Sequence, residues 1–295
     1  MRVARTAVAT HPGRKRRLNE DAFVCEPPLF AIADGMGGAR AGEVASGLAA
    51  AALQENDVNG TGAERVVALM QAANRSVYER SSRDADVAGM GTTMTVALVE
   101  AGGITFGHVG DSRAYVLRDG EIEQLTDDHS LVAELVRGGK LSAEEAEHHP
   151  QRSVITRALG TDPDVDVDTF TVEGRRGDVF VLCSDGLTDM VADDEIGAVL
   201  SQRRESLEDA ADELVRRANK AGGQDNITVV AFELTDEPDE PDERTLEQTV
   251  EQTAPAPGVA REPSSRSAWR RFLPLTILVL AILVAAAVLW VLVQR

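Results

Sequence analysis

The chain has 295 residues, 43% of them hydrophobic, which is enough to build one large soluble domain or two small ones. Its formal net charge is −19, and its basic residues form no stripe outside the short cluster GRKRR at 13–17. This balance excludes a general affinity for nucleic acid, because the chain would repel a phosphate backbone. The two cysteines, Cys25 and Cys183, lie far apart in apolar stretches and are typical of core residues in a reducing compartment.

The predicted elements lie between residues 22 and 234, after an N-terminus that lacks the apolar core of a signal peptide. Apolar or alternating runs predict strands at 22–25, 29–34, 91–100, 103–111, 112–120, 121–125, 166–172, 178–185 and 226–234. Apolar residues at helical spacing predict helices at 41–56, 62–82, 129–139, 142–149, 193–202 and 206–221. Strands follow one another without helices through the middle of the chain, so we expect a mostly antiparallel α+β domain over residues 1–235.

The composition changes abruptly after residue 235. Residues 236–268 are rich in Pro, Glu, Asp and Thr, which predicts a disordered acidic linker. Residues 272–293 are predicted to form a transmembrane helix, because the uncharged run from Leu273 to Val293 is about 31 Å long as a helix. Three arginines precede this span and one follows it, so we expect a single-pass plasma-membrane protein whose domain faces the cytoplasm.

Acidic residues recur where the predicted strands begin or end. They are Glu20, Asp21, Asp34, Asp111, Asp185 and Asp225. A lone Asp-Gly pair is typical of a turn. Acids from several strand ends that met at one edge, however, would repel one another unless divalent cations lay between them. The five histidines show no zinc-type spacing, and a purely oxygen ligand set favours Mg²⁺ or Mn²⁺.

Seven stretches of the chain, in this order, resemble the motif set of a known family: RRLNEDAF, ADGMGG, GMGTTMTVALV, GHVGDSRAYVLRDG, HPQRSVITRALG, CSDGLTDMV and GGQDNITVVA. The family is the metal-dependent Ser/Thr protein phosphatases, the PPM or type 2C family, in its bacterial branch. The resemblance runs from about residue 4 to residue 234. It implies a four-layer α-β-β-α sandwich of two mostly antiparallel sheets flanked by helices, with a metal centre in a cleft at one edge.

The resemblance implies a ligand set for two Mn²⁺ or Mg²⁺ ions. Asp34 would bridge the two ions. Asp185 and Asp225 would complete the first site, and Glu20 with the Gly35 carbonyl would hold the second.

The resemblance also implies supporting roles around the metals. Asp21 would orient metal-bound water, and Asp111, with Asp185, would match the third, weaker metal position of bacterial members. Arg16 would bind the phosphate through its planar fork. Met36 stands where eukaryotic members often carry a histidine that acts as general acid. His149 is therefore the candidate general acid, and a loop role for this histidine stays open.

The function that follows is hydrolysis of phosphoserine and phosphothreonine in proteins, by direct attack of a hydroxide that bridges the two metals. The resemblance names membrane-bound bacterial Ser/Thr kinases and their targets as the opponents of such an enzyme. The segment from Asp127 to Gln151 corresponds to a variable flap beside the cleft, and we expect Arg137 or Arg152 to contact the phosphopeptide.

Other functions fit the sequence less well. A cysteine phosphatase needs an arginine six residues after its nucleophile, and Cys183 has Asp189 there. The acidic run at 162–173 imitates a calcium loop but has Val167 where that loop needs glycine. The remaining alternative is a pseudophosphatase that binds phosphoproteins at the membrane. The retained acidic set disfavours this reading.

Overall fold

A computed structural model describes residues 1–37, 41–55 and 59–236, in which the apolar runs form two antiparallel sheets. The strands are β1 Arg2–His11, β2 Asp21–Glu26, β3 Leu29–Met36, β4 Gly91–Thr92, β5 Met94–Glu100, β6 Gly103–Val109, β7 Arg113–Arg118, β8 Glu121–Gln124, β9 Asp168–Val172, β10 Val179–Cys183 and β11 Ile227–Thr235. One sheet has the order β1-β11-β10-β7-β8, and the other has the order β2-β3-β5-β6-β9 with β4 beside β3.

The described helices lie between the strands. They are α1 Ala41–Glu55, α2 Gly62–Arg83, α3 Leu131–Arg137, α4 Ala143–Glu147, α5 Asp185–Thr188, α6 Asp193–Gln202 and α7 Leu207–Ala221. No helix among the described residues is both long and apolar enough to cross a bilayer. The predicted span 272–293, and all but the first residue of the predicted linker, lie outside the described residues.

Three layers of buried side chains hold the sandwich together. Between the sheets, Phe30 of β3 stacks on Phe232 of β11 with ring centroids 4.2 Å apart. A second layer lies between the β2-β3-β5-β6-β9 sheet and helices α1 and α2, and a third lies between the other sheet and helices α5 to α7. Helix, sheet, sheet and helix therefore stack as four layers, which confirms the predicted α+β sandwich of two antiparallel sheets.

Two elements were not predicted. Strand β1 pairs with β11 along the edge of its sheet, but only its small residues Ala7 and Ala9 are fully buried, so its apolar signal is weak. The short helix α5 begins at Asp185, where the sequence predicted only a strand end. Both cysteines are free, as expected: Cys183 is buried and Cys25 is half-buried.

Candidate metal centre and catalytic cleft

The acids at the strand ends meet at one edge of the sandwich. In an antiparallel sheet the end of one strand lies beside the start of the next. Asp21, at the start of β2, is thus the register partner of Asp34 in β3. Cys183 ends β10 next to the start of β11, which places Asp185 beside Asp225. We call this region the acidic edge, and it comprises Glu20, Asp21, Asp34, Asp111, Asp185 and Asp225.

One half of the acidic edge is built on close backbone contacts around Gly35. The Gly35 N–H donates to the Glu20 carbonyl at 3.1 Å. A Cβ at Gly35 would lie 2.1 Å from the Gly42 carbonyl oxygen, so only glycine fits there. A Cβ at Gly42 would in turn lie 2.9 Å from the carboxyl carbon of Glu20. The Glu20 carboxylate therefore lies at the N-terminal turn of α1, where the helix dipole favours negative charge.

The other half of the edge is organised around Asp21. One of its oxygens, Oδ2, accepts hydrogen bonds from the hydroxyls of Ser184 at 2.9 Å and Thr228 at 2.6 Å. A Cβ at Gly186 would lie 2.0 Å from the Asn226 carbonyl, so the turn after Asp185 is pressed against the turn that starts β11. These contacts fix Asp21 and Asp185 in the same wall of the cleft.

The loop that carries Arg16 is held by Asn226. The Asn226 side chain accepts a hydrogen bond from the Glu20 N–H at 2.7 Å and donates to the carbonyls of Pro12 and Leu18. Arg16 itself donates through Nη2 to Asp225 Oδ2 at 2.7 Å, and its side chain remains half exposed. The guanidinium thus lies at the rim of the cleft, beside one of the predicted metal ligands.

The carboxylates of the edge lie close enough to perturb one another. Burial, followed by the charges of Asp21, Asp185, Asp111 and Asp225, raises the pKa of Asp34 well above its usual value. Burial and the charges of Asp111, Asp189 and Asp225 do the same to the pKa of Asp185. Several carboxylates therefore lie close together in a site that is largely shielded from water, and this arrangement favours the binding of cations.

The pKa values of the flanking acids are raised as well. Burial is the main cause for Asp21 and Asp111, and it raises the pKa of each to about 6. The charge of Asp225 adds to the shift of Asp21, and the charge of Asp128 adds to that of Asp111. Burial also raises the pKa of Glu20, although the charge of Arg16 opposes the shift.

The donor set fits a hard divalent cation. Two buried carboxylate oxygens, Oδ1 of Asp21 and Oδ1 of Asp185, have no hydrogen-bond partner among the described residues. An orphaned anionic oxygen is costly unless a cation or water meets it. Within the described part of the chain, no group of three or more His, Cys, Asp and Glu side chains is arranged so that it could hold a metal ion as it stands. The fit therefore rests on the donor chemistry, the orphaned oxygens and the close backbone approach at Gly35.

The structure does not bring His149 to the acidic edge through any described contact. Its Nδ1 accepts from the Gln151 N–H at 3.2 Å within its own turn, so the general-acid role stays a prediction. Met36, the last residue of β3, packs with its methyl group over Gly91. The two arginines expected to contact the phosphopeptide already have partners, since Arg152 pairs with Asp189 at 2.9 Å and Arg137 donates to the Asp128 carbonyl.

Sequence reasoning missed the residues that support the acids: Ser184, Thr228 and Asn226. Each stands next to, or within three residues of, an acid that the motifs did identify. Their signal was a polar residue in an otherwise apolar strand run, as in CSD and DNIT. A polar side chain at a buried strand position needs a hydrogen-bond partner, and here the partners are the carboxylates and the Arg16 loop.

Comparisons with known proteins found similar sequences and similar structures. A family model described as protein phosphatase 2C matches residues 13–230. The chain is 41% identical over 236 residues to the serine/threonine phosphatase stp of Listeria welshimeri, covering 76% of this chain and 93% of that protein. It resembles the crystal structure of the Mycobacterium tuberculosis serine/threonine phosphatase PstP/Ppp at 40% identity, with a TM-score of 0.73 over 78% of this chain and 98% of that one. A structure of the PstP catalytic domain in complex with two manganese ions is similar at 38% identity, with a TM-score of 0.73 over 80% of this chain and 100% of that one.

Proposed function

Because the chain belongs to the protein phosphatase 2C family, we propose that its acidic edge binds Mn²⁺ or Mg²⁺ and hydrolyses phosphoserine and phosphothreonine in proteins. The observation that carries the proposal is the crowding of Asp34 and Asp185 with the neighbouring acids at one cleft, where two buried carboxylate oxygens lack partners. A pseudophosphatase that only binds phosphoproteins would not require several carboxylates of like charge to lie close together.

The residues that would hold the cations are those of the acidic edge. Asp34, Asp185 and Asp225 would supply the first site, and Glu20 with the Gly35 carbonyl would supply the second. Asp111, together with Asp185, would hold a third, weaker ion. When bound, such cations lower the pKa of coordinated water and neutralise charge on the phosphoryl oxygens.

The protein's own side chains prepare the phosphate site. Arg16 contacts Asp225 through one nitrogen, and its planar guanidinium has further donors that suit two phosphate oxygens. The hydroxyls of Ser184 and Thr228 hold Asp21 through a single oxygen. The second oxygen of Asp21 can then accept a proton or a hydrogen bond from the attacking water.

The activity is tested with the full chain, purified in detergent and stripped of metal with a chelator. Phosphate release from a phosphothreonine peptide is measured with and without Mn²⁺, beside Asp34→Asn. The matched control is Asp164→Asn, which neutralises an exposed acid outside the acidic edge. We expect Mn²⁺-dependent turnover that Asp34→Asn abolishes and Asp164→Asn keeps. Turnover without metal, or full activity of Asp34→Asn, would reject the proposal.

We further propose that the chain is tethered to the plasma membrane by residues 272–293, with the phosphatase domain in the cytoplasm. Support comes from the long uncharged run and from the arginines that precede it. Expression of the full chain beside a chain that stops at residue 235 tests this. Alkaline extraction should leave the full chain with the membrane and the shorter chain in the supernatant, and equal release of both would refute the tether.

The natural opponents of a tethered phosphatase would be membrane-bound Ser/Thr kinases and their substrates. Tethering raises the local concentration of enzyme near such targets without any new contact. We expect phosphorylation of membrane-proximal kinases and their targets to rise when the gene is deleted and to return to normal when the full chain is restored. Unchanged phosphorylation in the deletion strain would remove this assignment.

A further inference from the structure

A layer of buried polar side chains lies beside the acidic edge and takes no part in the proposed metal ligation. Its members lie on β5, β6 and the adjoining turns, and they are Thr93, Thr95, His108, Ser112 and His129. Burying polar groups lowers stability unless they form hydrogen bonds, so a buried polar layer in which every member is hydrogen-bonded calls for a structural explanation. The contacts of His129 give that explanation.

His129 holds Gly110 by two hydrogen bonds. Its backbone N–H donates to the Gly110 carbonyl at 2.8 Å. Its ring Nδ1 accepts from the Gly110 N–H at 3.0 Å. Gly110 is the residue immediately before Asp111, so both of its peptide groups are fixed by one histidine just before the carboxylate turns toward the acidic edge.

The ring of His129 is set in one tautomer. Because Nδ1 accepts a hydrogen bond, the ring proton lies on Nε2, which donates to Asp168 Oδ2 at 3.1 Å. The second oxygen of Asp168 accepts from Arg157 Nη1 at 2.5 Å. A carboxylate that is itself fixed by an arginine thus orients the imidazole, as second partners do around metal-ligating residues.

The backbone of Gly110 is also packed closely against Thr93. Its φ is +114°, and a Cβ there would lie 2.5 Å from Cβ of Thr93. The Thr93 hydroxyl accepts from the Asp34 N–H at 3.0 Å and shares a hydrogen bond with Ser112 at 2.8 Å. The Thr95 hydroxyl donates to the Ser112 carbonyl at 2.8 Å. The same polar layer therefore contacts the backbone on both sides of Asp111 and the backbone of Asp34.

Both ends of residues 131–154, which include most of the flap segment, lie beside His129. The Thr156 N–H donates to the His129 carbonyl at 2.8 Å, and the Leu131 N–H donates to the Val154 carbonyl at 2.9 Å. Residues 131–154 therefore begin and end close to the point where His129 binds Gly110.

We propose that His129, oriented by Asp168 and Arg157, is a positioning residue that fixes the Gly110–Asp111 turn and so aims the Asp111 carboxylate at the metal edge. This inference rests on the proposed function for its metal, but the grip on Gly110 belongs to the polypeptide itself. Loss of the Nδ1 acceptor frees the Gly110 N–H and lets Asp111 turn away, while the other ligands stay in place.

The test uses the full chain in detergent and separates the two ring nitrogens. His129→Asn places an oxygen where Nδ1 lies and removes the Nε2 contact to Asp168. His129→Gln places its amide near Nε2 and removes the acceptor for Gly110. The matched control is Asn74→Ala, which removes another buried side chain that accepts from a backbone N–H, that of Gly160 at 2.7 Å. Amide hydrogen exchange of residues 107–114 in chelator-treated protein is the first readout, and Mn²⁺ calorimetry is the second.

We expect His129→Gln to speed exchange at Gly110 and Asp111 at least tenfold and to weaken the weakest Mn²⁺ site by about tenfold or more. His129→Asn should stay within about threefold of the parent in both readouts, because its oxygen keeps the Gly110 bond. Parent-like exchange in His129→Gln, or the same loss of Mn²⁺ affinity in Asn74→Ala, would overturn the proposal. The exchange readout needs no metal or substrate, so it decides the role of His129 even if the chain proves inactive on phosphopeptides.

Discussion

Replacing Asn226 with alanine tests how the loop that carries Arg16 is held. The side chain is 2% exposed. It accepts from the Glu20 N–H at 2.7 Å and donates to the carbonyls of Pro12 and Leu18 at 3.1 and 2.9 Å. Leaving the N–H without a partner costs about 1 to 3 kcal/mol, and losing each of the two hydrogen bonds to the carbonyls costs about 1 kcal/mol. The domain therefore loses about 3 to 5 kcal/mol, and the loop that carries Arg16 and Glu20 loses its anchor.

The chain offers a closely matched control in Asn74. This fully buried side chain also accepts one backbone N–H, that of Gly160 at 2.7 Å, and donates to two carbonyls, those of Asp162 and Pro163 at 3.0 and 3.1 Å. Asn74→Ala should therefore lower the free energy of unfolding by a similar amount. Thermal denaturation should show both variants folded, with Tm lowered by roughly 10 °C.

Activity separates the two variants. Asn226→Ala should lower kcat/KM for a phosphothreonine peptide by about 100-fold and raise the Mn²⁺ concentration needed for half-maximal rate, because misplaced supporting groups cost about 10- to 100-fold each. Asn74→Ala should keep kcat/KM within about threefold of the parent at a temperature where both are folded. Equal loss of activity in the two variants would refute the idea that Asn226 acts by holding the Arg16 loop.

Three further outcomes follow from the structure. Arg16→Lys keeps a positive charge near Asp225 but loses the planar guanidinium. The KM for the phosphopeptide should therefore rise about tenfold in steady-state kinetics. An unchanged KM would contradict bidentate binding of phosphate by Arg16. Burial, and then the charge of His129, lowers the pKa of His108 to about 4 from 6.5, against the opposing charges of Asp128 and Asp168. Below pH 6.5 the unfolded chain therefore binds a proton that the folded chain does not, and the free energy of unfolding falls by roughly 3 kcal/mol as the pH drops from about 6.5 to about 4. In urea denaturation, His108→Gln should lack this dependence of unfolding free energy on pH. The same pH dependence in His108→Gln would rule out His108 as its source. Arg152→Ala breaks an exposed ion pair with Asp189, so thermal denaturation should show a loss of less than about 1 kcal/mol in the free energy of unfolding. The same variant should raise the KM for the phosphopeptide. A KM equal to that of the parent would show that Arg152 does not bind substrate.

The sequence predicted the strands and helices whose apolar period is strong. Runs such as VFVLC and TVVAF are buried throughout, and they appear as β10 and β11. Strand β1 escaped prediction because it lies at an edge of its sheet, where only the small residues Ala7 and Ala9 are buried. Its position is dictated by pairing with β11, more than 200 residues away in sequence, which no local pattern can show.

The acids of the site could be named from the sequence because each follows or precedes an apolar run, where a charge is out of place. The supporting residues could not be named, because their roles depend on contacts across the fold. Thr228 reads as an ordinary strand residue, yet its hydroxyl holds Asp21 at 2.6 Å. His129 reads as part of a short helix, and only the fold places its ring against Gly110.

The most direct test of the metal centre is anomalous scattering at the manganese edge from crystals of the chain grown with Mn²⁺. We predict two strong peaks with Asp34 between them, one bounded by Asp185 and Asp225 and the other by Glu20 and the Gly35 carbonyl. Peaks elsewhere on the surface, or none within coordination distance of Asp34, would contradict the account.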